Sequence, residues 1–122
     1  MWGGAFNAQN YSTTEQVVGT WIDGKKLYCK VINLGNLPNA TSKDVALGIT
    51  NLNYVVMIQG YAIVPEGSTL YCIPLPNVNA SQAIYNIGLS VNITANTIRV
   101  YTGTNRAISS GWVVIWYTKT TG

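Results

Sequence analysis

Apolar and polar residues alternate with a period of two along most of the chain. Ile87, Leu89, Val91 and Ile93 alternate with Gly88, Ser90, Asn92 and Thr94. Successive side chains of a strand point to opposite faces, so this segment predicts a half-buried strand with the Ile/Leu/Val row inward. Ile98 and Val100 alternate in the same way with Thr97, Arg99 and Tyr101. Near the C-terminus Trp112, Val114 and Trp116 oppose Val113, Ile115 and Tyr117. Both rows are apolar there, which predicts a strand covered on both sides. The run from Tyr54 to Val64 has the same character. Residues 25–33 and 69–74, rich in aromatic and β-branched side chains, also read as strands.

Turn chemistry separates these runs. Asp23-Gly24 predicts a two-residue hairpin. Pro65-Glu66-Gly67 closes a second hairpin, and Thr94-Ala95-Asn96 divides two short strands. Longer loops fall at 35–42, 75–82 and 102–110. No helix of three turns is visible. Ser12 with Glu15 three residues later fits a capping box and predicts one helical turn over 12–17. Val17, Val18 and Gly19 do not extend it.

The predicted fold is all-β: an antiparallel β-sandwich, jelly-roll-like, of about eight strands with little or no helix. It occupies residues 11–122, with residues 1–10 as a lead-in or junction. Alternating strand direction would place the loops at 23–24, 50–53, 75–82 and 102–110 at one end. The loops at 35–42, 65–67 and 94–96 would share the other end with both termini. The first end then offers Asp23, Asn51, Asn53, Asn77, Asn79, Asn105 and Arg106 as a recognition surface.

Composition narrows the function classes. Of 122 residues, 48% are hydrophobic but only 9% are charged, against about 25% in an average soluble domain. That excludes disorder and coiled coil, both of which need charge. Amides, hydroxyls and glycine must cover the surface, so part of it is expected to be buried against a partner. The net charge of +3 comes from seven scattered Lys and Arg. Nucleic-acid binding needs a dense basic patch and is not expected.

There is no His, which removes His-based acid/base chemistry and most zinc sites. No cofactor or metal is expected. Cys29 and Cys72 lack metal-ligand spacing and read as buried thiols or, alternatively, as one disulfide between strands. No signal peptide or membrane-spanning run is apparent. Asn10, Asn39, Asn79 and Asn92 open Asn-x-Ser/Thr triplets, read as a by-product of composition.

One stretch is distinctive: YSTTEQVVGTWIDGKKLYCKVINLGNLPNATSKDVALGI, residues 11–49. With its Glu15–Trp21 run, Asp23-Gly24-Lys25, Leu27-Tyr28 and Leu37-Pro38-Asn39, it resembles a module near the C-termini of bacteriophage tail and tail-fibre proteins. Asn105-Arg106 and the closing Tyr117-Thr118-Lys119-Thr120 are similar as well. Cys29 departs from the polar residue expected at its position, which points that part of the strand away from solvent. The resemblance implies a non-enzymatic virion structural protein of the tail or an external appendage. It implies a homotrimer that contacts other virion proteins and attaches to a host-surface glycan or cell-wall polymer. Such a chain is made in the host cytoplasm, where thiols stay reduced. The alternatives are a purely structural or capsid-decorating protein, and a polysaccharide-degrading enzyme with its site between subunits.

The candidate ligand-binding residues are Trp21, Asp23, Lys25, Asn77, Asn79, Tyr101, Asn105 and Arg106. Trp21 beside Asp23 and Lys25 could stack on a sugar ring, although Trp21, Trp112 and Trp116 are favoured as core or interface anchors. Asn105 and Arg106 suit glycan hydroxyls or phosphate. A glycosidase needs two facing carboxylates. Asp23 and Glu66 are expected at opposite ends, Glu15 in a cap, and Asp44 at a loop end or beside Lys43.

Overall fold

Strand chemistry wins over more than half of the described residues. The computed structural model describes residues 10–121. Its strands are β1 (Gln16–Thr20), β2 (Lys26–Asn36), β3 (Ser42–Ala46), β4 (Leu52–Glu66), β5 (Thr69–Leu75), β6 (Ile87–Asn92), β7 (Thr97–Thr102) and β8 (Ser110–Lys119). They form two antiparallel sheets, ordered β1-β2-β8-β4-β5 and β3-β7-β6. This is the eight-stranded β-sandwich that the alternation predicts. One 3-10 turn, Ala83–Tyr85, interrupts the long β5–β6 connection.

The core lies between the sheets. Ile98 and Val100 of β7 are fully buried and meet Val113, Ile115 and Tyr117 of β8 in one apolar cluster with Ile32, Leu34, Ala62 and Ile87. Each buried Ile, Leu or Val side chain contributes about 1.5–3 kcal/mol relative to exposure. Tyr117 stacks on Tyr28 with ring centroids 5.7 Å apart. Trp21, Trp112 and Trp116 are not in this cluster, although Trp116 is buried. Because β8 alternates, its Val113/Ile115/Tyr117 row points inward and its Trp112/Val114/Trp116 row outward. The expected second cover on β8 is partial: Tyr11 meets Trp116 edge-on at 6.5 Å, while Met57 and Tyr61 beside it are exposed.

Several local expectations are corrected. Residues 13–14 bend and the chain then enters β1, so the helical turn over 12–17 does not form. Ser12 Oγ accepts from Thr14 N–H at 3.0 Å, a contact two residues ahead instead of three. Glu15 is drawn away to β8, where its carboxylate accepts from Tyr117 Oη and Lys119 Nζ. Asp23-Gly24 belongs to a wider hairpin loop, 21–25, because Thr20 pairs with Lys26. Asp44 lies inside β3 and pairs with Arg99 of β7, while Lys43 donates to the Leu34 and Asn36 carbonyls. Cys29 is buried and Cys72 exposed, both as free thiols. Cys72 sits on the edge strand β5, where nothing covers its outer face.

The sorting of loops by end is also corrected. Ser110, at the start of β8, pairs with Asn36 of β2 and Ile63 of β4. The loops 37–41, 67–68 and 103–109 therefore lie at one end. The 21–25 hairpin, residues 47–51 and the turn 93–96 lie at the other, with Thr120 bonded to Asn51. The 76–86 connection breaks the alternation. It leaves β5 partway along the sheet and returns the chain to the end where β5 began, so that Ile87 pairs with Thr102. Every loop after it changes ends. Asp23, Asn51 and Asn53 are separated from Asn77, Asn79, Asn105 and Arg106, whereas Asp23 and Glu66 do stand at opposite ends.

Candidate functional site

The returned connection builds a cleft. Residues 76–86 fold back beside the 103–109 loop and the β4–β5 hairpin, enclosing a volume of about 650 Å³. Four of the eight candidates line it: Asn77, Asn79, Asn105 and Arg106. Glu66, Tyr71, Tyr85 and Ile108 are also part of its wall. The sequence pattern did not single out Tyr71, nor Tyr85 as the partner of Arg106. Tyr85 is 21 residues away, and only the reversal of the chain brings it there.

Each loop is tied down by its own amides. Asn79 Oδ1 accepts from the backbone of Ser81 and Gln82, both at 2.9 Å, and Asn79 N–H donates to Asn86 Oδ1 at 2.7 Å. Asn77 exchanges backbone hydrogen bonds with Ile87 at 2.9 Å. Asn105 Oδ1 accepts from Ala107 N–H and its backbone bridges to Asn39. These are the local side-chain-to-backbone bonds that short amides make in turns. The Asn side chains thus shape the cleft first and offer remaining capacity to a ligand second.

Arg106 is the cation among the lining residues. Its Nη2 donates to the Tyr85 carbonyl at 3.1 Å, and its guanidinium lies 5.9 Å from the Tyr85 ring centroid. Nε is buried with no partner. The loop backbone is anchored on both sides, with Arg106 N–H on the Pro38 carbonyl and Ser109 N–H on the Arg106 carbonyl. The arrangement brings aromatic faces, amides, one carboxylate and one guanidinium along a single cleft. Tyr71 is 49% exposed and Ile108 77% exposed, so apolar surface remains open in the cleft.

Tyr101 stands near the same end, on the outer face of the three-stranded sheet. Its ring lies over Gly88, whose missing side chain provides the seat. A second hollow of about 500 Å³ runs between Tyr101, Gly103 and Asn86, and shares Asn77 with the first. Trp21, Asp23 and Lys25 are in the 21–25 loop at the opposite end and join neither hollow. There Asp23 Oδ1 accepts from Lys25 N–H at 2.9 Å, an ordinary turn contact. The acids are dispersed, and only Glu66 lines the main cleft.

Among the described residues no cluster of three or more His, Cys, Asp or Glu side chains gathers as metal ligands. No described helix is long and apolar enough to cross a membrane. Comparison of the chain with protein-family models, curated proteins and solved structures finds no match.

Proposed function

We propose that the protein is a non-enzymatic virion structural module of the tail-fibre or tail-tip kind, serving assembly and attachment to a host-surface glycan. The observation that carries the attachment role is the cleft. Loops from three parts of the chain converge there, and Asn77, Asn79, Asn105 and Arg106 meet two tyrosines. The likeness of residues 11–49 to phage tail-fibre modules supports the setting. The assembly role draws on the outer face of the five-stranded sheet. Cys29, Val31, Asn33, Met57, Gln59, Tyr61, Trp112, Val114 and Trp116 share that face in register, and none is charged. Three copies packed through it would present three clefts at once, and weak single-site binding would gain by avidity.

The test is binding of the purified chain to a panel of bacterial-surface saccharides. Binding that falls at least about tenfold in Arg106→Ala supports the reading, since hydrogen bonds to charged groups carry about 1.5–3 kcal/mol. Release of reducing sugar from any bound saccharide would replace it with an enzymatic one. A chain that binds none of the panel would leave only the assembly role.

A further inference from the structure

The two arginines of the folded chain are used in opposite ways. Arg99 grips Asp44 with two parallel hydrogen bonds, Nε to Oδ1 at 2.7 Å and Nη2 to Oδ2 at 3.1 Å. Arg106 has no carboxylate partner among the described residues. Of its five N–H donors, one is spent, on the Tyr85 carbonyl. Its Nε is the one buried side-chain nitrogen or oxygen among the described residues that lacks a partner. Native proteins seldom leave such a group unmet, because its desolvation is not compensated. Ordinary flexibility of the loop does not explain it, since the backbone of Arg106 is held on both sides by Pro38 and Ser109. The protein thus fixes a cation in a cleft, on an aromatic face, with donors to spare and no carboxylate in contact with it.

We infer that the cleft takes an acidic saccharide, with its carboxylate or phosphate on Arg106. The inference rests on the glycan-binding reading above and specifies its ligand class. A planar guanidinium matches either anion through paired donors. Tyr85 lies under the guanidinium, and Tyr71 in the same cleft is open to a sugar face. Glu66, on the hairpin side of the cleft, repels a second anion and accepts hydroxyl donors. The ligand is therefore oriented, its acidic group toward the 103–109 loop and a neutral, hydroxyl-bearing part toward the β4–β5 hairpin.

The experiment is calorimetric titration of the intact chain with three probes. These are a tetrasaccharide containing uronic acid, the same tetrasaccharide with its carboxyls reduced to alcohols, and a glycerol-phosphate oligomer. The acidic probe is expected to bind about tenfold or more tightly than its reduced form. Arg106→Gln should erase that preference. Arg106→Lys should keep part of it, having charge without the planar fork. Glu66→Gln should raise affinity for the acidic probe a few-fold by removing a like charge. If the glutamine variant does not fold, judged by its thermal transition, the lysine and Glu66 variants carry the test. A stronger response to glycerol phosphate than to uronate identifies a phosphate source and supports the same anion site. Equal binding of the acidic and reduced probes, unchanged in the variants, overturns the inference while leaving glycan binding intact. Failure of all three probes and of the wider saccharide panel overturns both.

Discussion

Glu15 shows how a residue read for one local role is taken by a distant one. Spaced three from Ser12, it fits a helix cap, yet Tyr117 and Lys119 lie more than a hundred positions away and offer two donors. Burial alone would push the Glu15 carboxyl up, but hydrogen bonds to Lys119 and Tyr117, with the charges of Lys119 and Lys30, hold it below its ordinary value. Burial, then the bond to Glu15, pushes the Tyr117 hydroxyl up. The sign for stability follows from the depressed carboxyl. Its contribution is fully present above the unfolded Glu range and is lost as pH falls through the lower folded value. Stability of the native chain should therefore decline below about pH 4.5, the ordinary Glu value, more steeply than that of Glu15→Gln. At neutral pH that variant should lose about 1–3 kcal/mol, as expected when a charge-assisted hydrogen bond inside a partly buried network is removed. Urea melts at pH 7 and pH 4 measure both. Parallel pH profiles for the two proteins would remove Glu15 as the cause.

At the scale of elements, strands were legible and their directions were not. The alternation names the inward rows of β7 and of β6 as far as Val91, because a period of two leaves no other way to bury Ile87, Ile98 and Val100, but Ile93, expected in the same row, lies in the 93–96 turn and is exposed. The same logic separates the two apolar rows of β8, but it cannot say which row finds a partner sheet. Direction failed at one place. The 76–86 connection carries Pro, Asn and Ser, which mark a loop without stating that it turns back. With it went the placement of Asp23 beside Arg106, and the neighbourhood of Tyr85 and Arg106 stayed hidden. The reversal depends on a close backbone approach. A side chain at Gly103 would come within 2.6 Å of the Ile84 carbonyl oxygen and 2.9 Å of Ile84 Cα. Those are backbone atoms of the 3-10 turn that also holds Tyr85, so the strain cannot be relieved by rotating a side chain. Gly103→Ala should cost about 1–3 kcal/mol, in the range of overpacking, and shift Tyr85 away from Arg106. Thermal melts report the first effect. Saccharide affinity, falling by more than in Tyr85→Phe, reports the second. A variant with the affinity and melting temperature of the parent would show that the turn is not seated on Gly103.

At the scale of the whole molecule, charge is the feature to explain. The few charged groups that a chain of this composition has are kept off one surface. Lys30 and Lys43 are spent on backbone carbonyls, Lys119 on Glu15, and Arg99 on Asp44. The outer face of the five-stranded sheet carries only uncharged side chains around Trp112, Val114 and Trp116. Five strands spaced about 4.8 Å apart and roughly ten residues long span about 800 Å², within which Cys29 and Trp116 are buried, Val31, Trp112 and Val114 half-buried, and Asn33, Met57, Gln59 and Tyr61 open to water. Copies of this chain can meet there without bringing like charges together, which is the condition for a surface that recognises itself. The proposed trimer therefore predicts that native mass spectrometry at low micromolar concentration gives three times the chain mass. Val114→Lys places an ammonium at the centre of the face, on the middle strand, where it would be desolvated without a partner. An unpaired buried charge costs several kcal/mol, enough to drive the population to monomer. The same variant should keep its fold and the affinity of each cleft, since Val114 points away from the core and from Arg106. Its binding to a surface densely coated with saccharide should fall far more than its binding to free saccharide, because only avidity is lost. A parent chain that is itself monomeric would sink the trimer and leave the uncharged face to a partner other than a second copy.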